Sequence, residues 1–379
     1  RVGKTTFGEI IGQSYPNHVY MNWEIPENRT RLIRNPAFFE EAERRDESTP
    51  LVMFDEINRH RGWRRYLKGA FDRVEGDYQF LVTGSSRLDY PQRRCDSLAG
   101  RYYLLHLWPF TQAELGRANL KPEAFFETPL QVSMERQSEL GALWQTLSEQ
   151  SGFPEPFLAG RKTSYRRWST AYAEQLIRED IRDLTGVKGI AELETLYHLL
   201  PAQVGRLLSV PGLAQGLQVA YNTIRSWLMT LQRFFVVFSL SPWSRDVPRA
   251  IREGQKIYLW DVPRVRDAEA RFENMVALEL CRAVFNWNEM GYGRFSLNFI
   301  RTKDQQDVDF ILSDDGRPVL LVDARAQEHQ PSAALMKFQS ALNVPAVQLV
   351  QAAEGYRRVS NEGQSILIAP ACQYLAGLP

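Results

Sequence analysis

The sequence predicts a multidomain α/β protein, with a parallel α/β region first, a helical middle, and an α+β region last. Three observations carry this reading. Short apolar runs at 19–24 (VYMNWE), 51–56 (LVMFDE) and 78–86 (YQFLVTGSS) each end in polar or small residues, as buried parallel strands do when their C-terminal ends carry a site. From about 119 to 240 the pattern turns helical, with Pro154 and Pro156 of GFPEPFLAG marking a joint. After about 255, strand-like runs return as KIYLWDV, FSLNFIRTK, DVDFILSD and PVLLVDAR, with a helix over 270–286. The expected domains are 1–118, a helical lid or linker over 119–190, a third at 191–262, and a fourth at 263–379.

Composition narrows the function classes. A chain of 379 residues exceeds one ordinary core. Apolar residues make up 44% and charged residues 24%, and no apolar run approaches the roughly 18–20 residues of a membrane span, so no membrane partner is expected. Cys95, Cys281 and Cys372 lie far apart with no CxxC pair, which points to neither a zinc site nor a disulfide framework and fits a reducing cytoplasm. The net charge of +1 leaves any nucleic-acid contact to local patches.

Between the first strands, RGWRRYLKGAFDRV (61–74) places Trp63, Leu67, Ala70, Phe71 and Val74 on one helical face. The chain opens Arg1-Val2-Gly3-Lys4-Thr5-Thr6, the second half of a GxxxxGK[ST] phosphate loop, so the reading is of a chain that begins inside that loop, with the preceding strand missing. Gly3 lets backbone N–H groups close on phosphate, Lys4 neutralises the β/γ charge, and Thr5 ligates Mg²⁺, with Thr6 beside it. LVMFDE supplies Asp55 to hold Mg²⁺ through water and Glu56 to orient or activate an attacking water. FLVTGSS ends in Thr83, Ser85 and Ser86; Ser85 is the candidate γ-phosphate sensor, and capping of a following helix is the alternative. A solvated acidic strand end would explain one carboxylate. An Asp-Glu pair after four apolar residues, roughly 50 residues beyond GKT, speaks for ATP and Mg²⁺ as cofactors.

GKTT, LVMFDEI, LVTGSSRLD and DSLAGRYYLLHLWPFTQAEL resemble, in that order, a prokaryotic AAA-type P-loop ATPase family with a C-terminal domain of uncharacterised function. The likeness continues through GFPEPFLAG, EQLIREDIRDLTGV, RFENMVALEL and DVDFIL, and so covers essentially the whole chain. A Gly-Pro-Arg-like stretch precedes GKT in that family and is absent here. The resemblance implies an AAA-like parallel sheet and nominates Arg101, in LAGR, as an arginine finger; a structural ion pair is the alternative. It also marks Arg178 and Asp180 of IREDIRD, without giving them a role.

Residues 161–183 read as a charged helix whose Arg161, Lys162, Arg166 and Arg167 could meet phosphates, a neighbouring subunit, or only solvent. Residues 195–245 read as a winged helix. LLPAQVGRLLSV is expected as one helix and GLAQGLQV as a second, short one. YNTIRSWLMTLQRFFVV then turns Ile224, Trp227, Leu228 and Leu231 inward, leaving Asn222, Arg225 and Ser226 where a recognition helix meets DNA. Packing against protein is the other use of such a module. VVFSLSPW and KIYLWD are the expected wing. The last region resembles the PD-(D/E)xK restriction-endonuclease fold: Asp309 and Asp323 match its strand acids and Glu273 its helix acid, while Arg325 stands where the lysine belongs. Efficient cutting is therefore not expected. Together these point to a Mg²⁺-dependent ATPase that couples nucleotide state to a nucleic-acid or protein partner, with self-association left open. A nucleotide-gated scaffold and an ATP-regulated nuclease are the alternatives.

Overall fold

The computed structural model describes all residues except 1, 75, 85–97, 99, 118–120, 245–253, 303–305, 328–329 and 352–353, and the backbone alone for 183–184. The chain divides into two compact units, residues 1–107 and 108–379.

In the first unit, β1 (His18–Asn22), β2 (Leu51–Asp55) and β3 (Gln79–Val82) form a parallel sheet in that order. The sheet is flanked by α1 (Lys4–Gln13), α2 (Pro26–Arg34) and α3 (Trp63–Arg73). β2 is central and buried at every residue, which is why LVMFD is apolar until its last position. Its register aligns Asn22 with Asp55 on one side and Val82 with Phe54 on the other, so polar strand ends gather at one edge of the sheet. α1 packs closely on β2, since a Cβ on Gly12 would lie 2.8 Å from Met53 Cε. Phe38, Phe39 and Phe54 fill the opposite side with Leu32, Ile57 and Leu67.

The second unit opens with helices α4 (Gln112–Gly116), α5 (Pro122–Glu127), α6 (Gln137–Gln150), α7 (Pro154–Ala159) and α8 (Lys162–Gln175). A π-helical stretch, Leu176–Ile181, leads into α9 (Arg182–Thr185), followed by α10 (Ile190–Leu199), α11 (Val210–Gly216) and α12 (Tyr221–Arg233). LLPAQVGRLLSV is not one helix. α10 stops at Leu199, Leu200–Gln203 form a 3₁₀ turn, and Val204 and Leu207 make bridges to the strand at 256–259. Pro201 donates no N–H and Gly205 takes φ +73°, so a continuous α-helix cannot run through this stretch.

β4 (Val237–Leu240) and β5 (Lys256–Leu259) pair antiparallel, with Leu240 opposite Lys256. α13 (Ala268–Glu289) then runs through the core, buried at every residue from Asn274 to Val284, as a helix apolar nearly all round must be. Its Asn274 is partnered on both sides of the amide: it accepts from Leu259 N at 2.7 Å and donates to Leu259 O at 2.8 Å. β6 (Phe295–Arg301), β7 (Asp307–Asp314), β8 (Arg317–Ala324), β9 (Ala346–Val350), β10 (Arg357–Asn361) and β11 (Gln364–Pro370) form one sheet in the order β10-β11-β9-β8-β7-β6. β8, β9 and β11 are parallel and the remaining pairings antiparallel. Phe310, Leu312, Leu320 and Val322 join the main core with α13, whereas Ile311 and Leu321 face Leu335 of α14 (Ala333–Leu342). Alternate residues thus serve two layers. The terminal α15 (Ala371–Ala376) buries Tyr374 and Leu375 in the main core. Among the described residues, no helix is long and apolar enough to cross a membrane.

Candidate functional site

Asp55 ends the apolar β2 and is 2% exposed. Four neutral groups converge on it. Thr5, in the first turn of α1, donates to Oδ2 at 2.7 Å; Tyr20 of β1 donates to Oδ2 at 2.8 Å; Asn22 reaches the same oxygen at 3.2 Å; and Thr83, just past β3, donates to Oδ1. Among the described residues no Lys or Arg pairs with this buried carboxylate. Burial, with the hydrogen bond to Asp55 and its charge, pushes the Tyr20 phenol up to about 12, so Tyr20 stays a donor. Gly3 caps α1 with φ +88°, a conformation that glycine adopts without steric cost. Lys4, half-buried, is the first residue of that helix, and the helix N-terminus presents N–H groups and a partial positive charge.

Glu56 follows in the left-handed region at φ 53°. Its Oε2 lies 3.9 Å from Arg59 Nε, which sits 3.1 Å from Glu24. Trp23 and His60 meet with ring centroids 4.5 Å apart, and burial lowers the His60 pKa. Thr6 is exposed on α1. Ser85 lies outside the described residues, as does Ser86. Arg101 forks onto Asp72 near the end of α3, at 2.7 Å and 3.4 Å.

A second group of ionisable residues lies in the C-terminal unit. Lys256, which opens β5 and is 2% exposed, holds Asp309 Oδ1 at 3.2 Å, Glu273 Oε1 at 3.4 Å and Asp307 Oδ2 at 3.5 Å. Tyr258, two residues on and so on the same strand face, donates to Glu273 at 2.7 Å. The other oxygen of Asp309 accepts from Ala324 N at 3.1 Å. Asp323 receives a fork from Arg325 at 3.1 and 3.3 Å and a hydrogen bond from Ser332 at 2.8 Å. Burial and the Asp309 charge raise the pKa values of Glu273 and Asp323. Burial works against the Lys256 charge, but Asp309, Glu273 and Asp307 outweigh it and raise its pKa. Among the described residues, no three His, Cys, Asp or Glu side chains are arranged to hold a metal.

On α12, Ile224, Trp227, Leu228 and Leu231 are buried, whereas Asn222, Arg225 and Ser226 are exposed. The Arg225 guanidinium lies 6.0 Å from the Tyr221 ring centroid.

Tyr20, Asn22 and Lys256 are the contributors that motif reading passes over. Tyr20 and Asn22 carry a faint signal, two hydrogen-bonding residues at i, i+2 on one strand that also opens with His18. Lys256 carries none, because it precedes an apolar run in the manner of any strand start.

Residues 1–116 match the family described as AAA domain, and residues 142–263 match a domain of unknown function. The N-terminal region is thus similar to AAA-type P-loop ATPases. Two uncharacterised proteins, one of Mycobacterium bovis and one of Mycobacterium tuberculosis, are each 26% identical to it over 261 residues. Those matches cover 69% of this chain and 52% of each relative, so the chain spans about half the length of the curated relatives it matches. A solved half-complex from the tetradecameric assembly of Thermococcus gammatolerans McrB AAA+ hexamers with bound McrC shares 14% identity over 46% of each chain. Its TM-score of 0.22 is too low to carry an argument about fold.

Proposed function

We propose that the N-terminal unit binds and hydrolyses ATP with Mg²⁺, and that the rest of the chain couples this to a nucleic-acid or protein partner. The observation that carries the reading is the 2.7 Å approach of Thr5 to Asp55. A hydroxyl at a helix N-terminus and a buried carboxylate on the neighbouring strand make a hard-oxygen pair of the kind Mg²⁺ takes. Among the described residues, the side chains that donate to Asp55 are neutral, which suits a carboxylate whose counter-charge is to come from a cation. When bound, Mg²⁺ would offset charge developing on the phosphates during transfer.

The chain's own residues have distinct tasks in this reading. Gly3 and the first N–H groups of α1 cradle phosphate, with Lys4 supplying charge and Thr6 flanking. Thr5 and Asp55 hold the cation, Tyr20, Asn22 and Thr83 fix the orientation of Asp55, and Glu56 orients the attacking water. Ser85 is the proposed sensor. The hold of Asp72 on Arg101 favours a structural role for that arginine over a finger. The Arg59–Glu24 pair beside Glu56 supports gated turnover, because Glu56 must turn from Arg59 to meet a water.

In the second unit, α11, α12 and the β4–β5 pair are read as a winged helix whose Asn222 and Arg225 touch DNA, supported by their exposure on α12. The six-stranded sheet with α13 is read as a restriction-endonuclease-like domain without efficient cutting. There the implied metal does not fit the residues present, since Lys256 and Arg325 already pair with the acids, and no cleavage step is derived.

Phosphate release and nucleotide binding by the full chain test the proposal, with and without single-stranded, duplex and branched DNA. Lys4→Ala should abolish ATP binding. Equal affinity in wild type and Lys4→Ala would remove the phosphate-loop reading, and turnover unmoved by any nucleic acid would turn the coupling toward a protein partner.

A further inference from the structure

We propose that Lys256 is the resident cation of the carboxylate cluster in the C-terminal unit, so that this site takes no divalent metal until Lys256 is removed. The inference deepens the nuclease-like reading and rests on it only for the comparison with a metal site. The geometry itself stands on four side chains.

An ammonium carries three donors and no acceptor. Lys256 meets three carboxylate oxygens, from Asp309, Glu273 and Asp307, at 3.2, 3.4 and 3.5 Å. The carboxylates come from two elements, α13 and β7, while the cation comes from a third, β5. That arrangement is a tripod closed by a compact charge, the place a divalent ion would take among acids at this spacing in the chain. The ammonium cannot swing into solvent, because the Lys256 side chain is only 3% exposed and its backbone is held between Leu240 and Leu207. The surroundings are closed on the Glu273 side, while the Asp307 side chain keeps 31% exposure. A Cβ on Gly205 would fall 2.6 Å from Glu273 Oε2, so backbone shuts the cluster on that side. Tyr258 occupies Glu273 Oε1 from the same strand face, and Ala324 N occupies the second oxygen of Asp309. Asp323, which a metal would share with Asp309, is already forked by Arg325 and bonded by Ser332. A metal would have to displace an internal cation from each acid it took.

The competing idea, that Lys256 is a catalytic lysine delivered from another strand, makes opposite predictions. It needs metal on Asp309 in the wild type, and loss of cleavage when Lys256 is changed. Mn²⁺ titration followed by electron paramagnetic resonance, on the full chain without nucleotide, separates the two. Wild type and Asp309→Asn should bind Mn²⁺ indistinguishably. Lys256→Met should gain one site at least tenfold tighter than any in wild type, and the Lys256→Met/Asp309→Asn double variant should lose it. Mn²⁺ should also raise the unfolding temperature of Lys256→Met but not of wild type. A wild-type Mn²⁺ site that Asp309→Asn removes would overturn the proposal, and so would a folded Lys256→Met that gains none. If Lys256→Met fails to fold even with Mn²⁺, the wild-type comparison decides alone. DNA cleavage, assayed in parallel, is read separately: efficient cutting by wild type would sink the reading of a domain without efficient cutting, while the Mn²⁺ titration decides the lysine's role.

Discussion

Asp55 and Asp309 are both buried aspartates on strands, one in each unit, yet one is surrounded by neutral donors and the other by an ammonium. Thr5, Tyr20, Asn22 and Thr83 hydrogen-bond Asp55, and among the described residues no Lys or Arg pairs with it. Lys256 compensates Asp309 together with Glu273 and Asp307. Isolated charges are costly to bury, and a charge of opposite sign held at hydrogen-bond distance removes much of that cost. On the proposed reading, the difference separates a carboxylate kept ready for an outside cation from carboxylates that an internal ammonium already holds. Reading acids alone would treat both clusters as metal sites.

The largest expected effect is on turnover. Glu56→Gln should lower steady-state phosphate release by about 10²–10⁴-fold while ATP still binds, because a group that positions or activates the nucleophilic water contributes in that range. Binding measured by nucleotide fluorescence, beside the rate, checks the split. If the rate holds, the ready carboxylate is not working with Glu56, and the first half of the comparison breaks.

The second test concerns stability without nucleotide. Lys256→Met leaves several carboxylates without their cation and should destabilise the C-terminal unit by about 3–5 kcal/mol in urea unfolding. Asp55→Asn keeps an acceptor for neutral donors and should change the unfolding of the N-terminal unit by less than about 1 kcal/mol. Similar losses in the two variants would erase the distinction.

Glu279 sharpens the comparison as an intermediate case. It is buried on α13, accepts from Gln112 N at 2.8 Å, and has Arg282 only at 3.9 Å. Burial pushes its pKa from 4.5 up to about 7 despite that arginine. The folded state then holds the proton more tightly than the unfolded one. This contribution is fully present below about pH 4.5 and is lost as pH rises to about 7, by up to roughly 3 kcal/mol. Glu279→Gln should flatten that slope in denaturation series between pH 5 and 8. An unchanged slope would mean that Arg282 compensates Glu279 as fully as Lys256 does its acids.

The smallest effect is expected at the surface. Arg225→Ala should reduce the slope of log affinity for duplex DNA against log salt by about 0.9 if one phosphate contact is lost. An isotherm unchanged across salt would assign α12 to protein contacts instead, leaving cation exchange with DNA out of this unit's work.

Much of the N-terminal unit was legible in the sequence, because its signals are local. GKT followed at once by helix, and LVMF followed by Asp-Glu, mark the end of a buried strand beside a helix N-terminus, and parallel pairing places β2 between its neighbours. After 255, β5, β6, β7, β8 and α13 are equally legible in the sequence, as is the inward face of α12, whereas the elements beyond 324 carry no reading. Residues 199–210 have the apolar content of a helix, but Pro201 and Gly205 break it.

What the sequence by itself determined was which residues end strands, which face of a helix is apolar, and which acids have the spacing of a site. Only the tertiary structure decided what stands against each acid. Tyr20 meets Asp55 from 35 residues away and Lys256 meets Asp309 from 53 away. Such pairings depend on strand register and on which element closes over a strand, and these follow from packing of the whole core. Whether the partner is a neutral donor or an ammonium then fixes how far a buried acid's charge is offset.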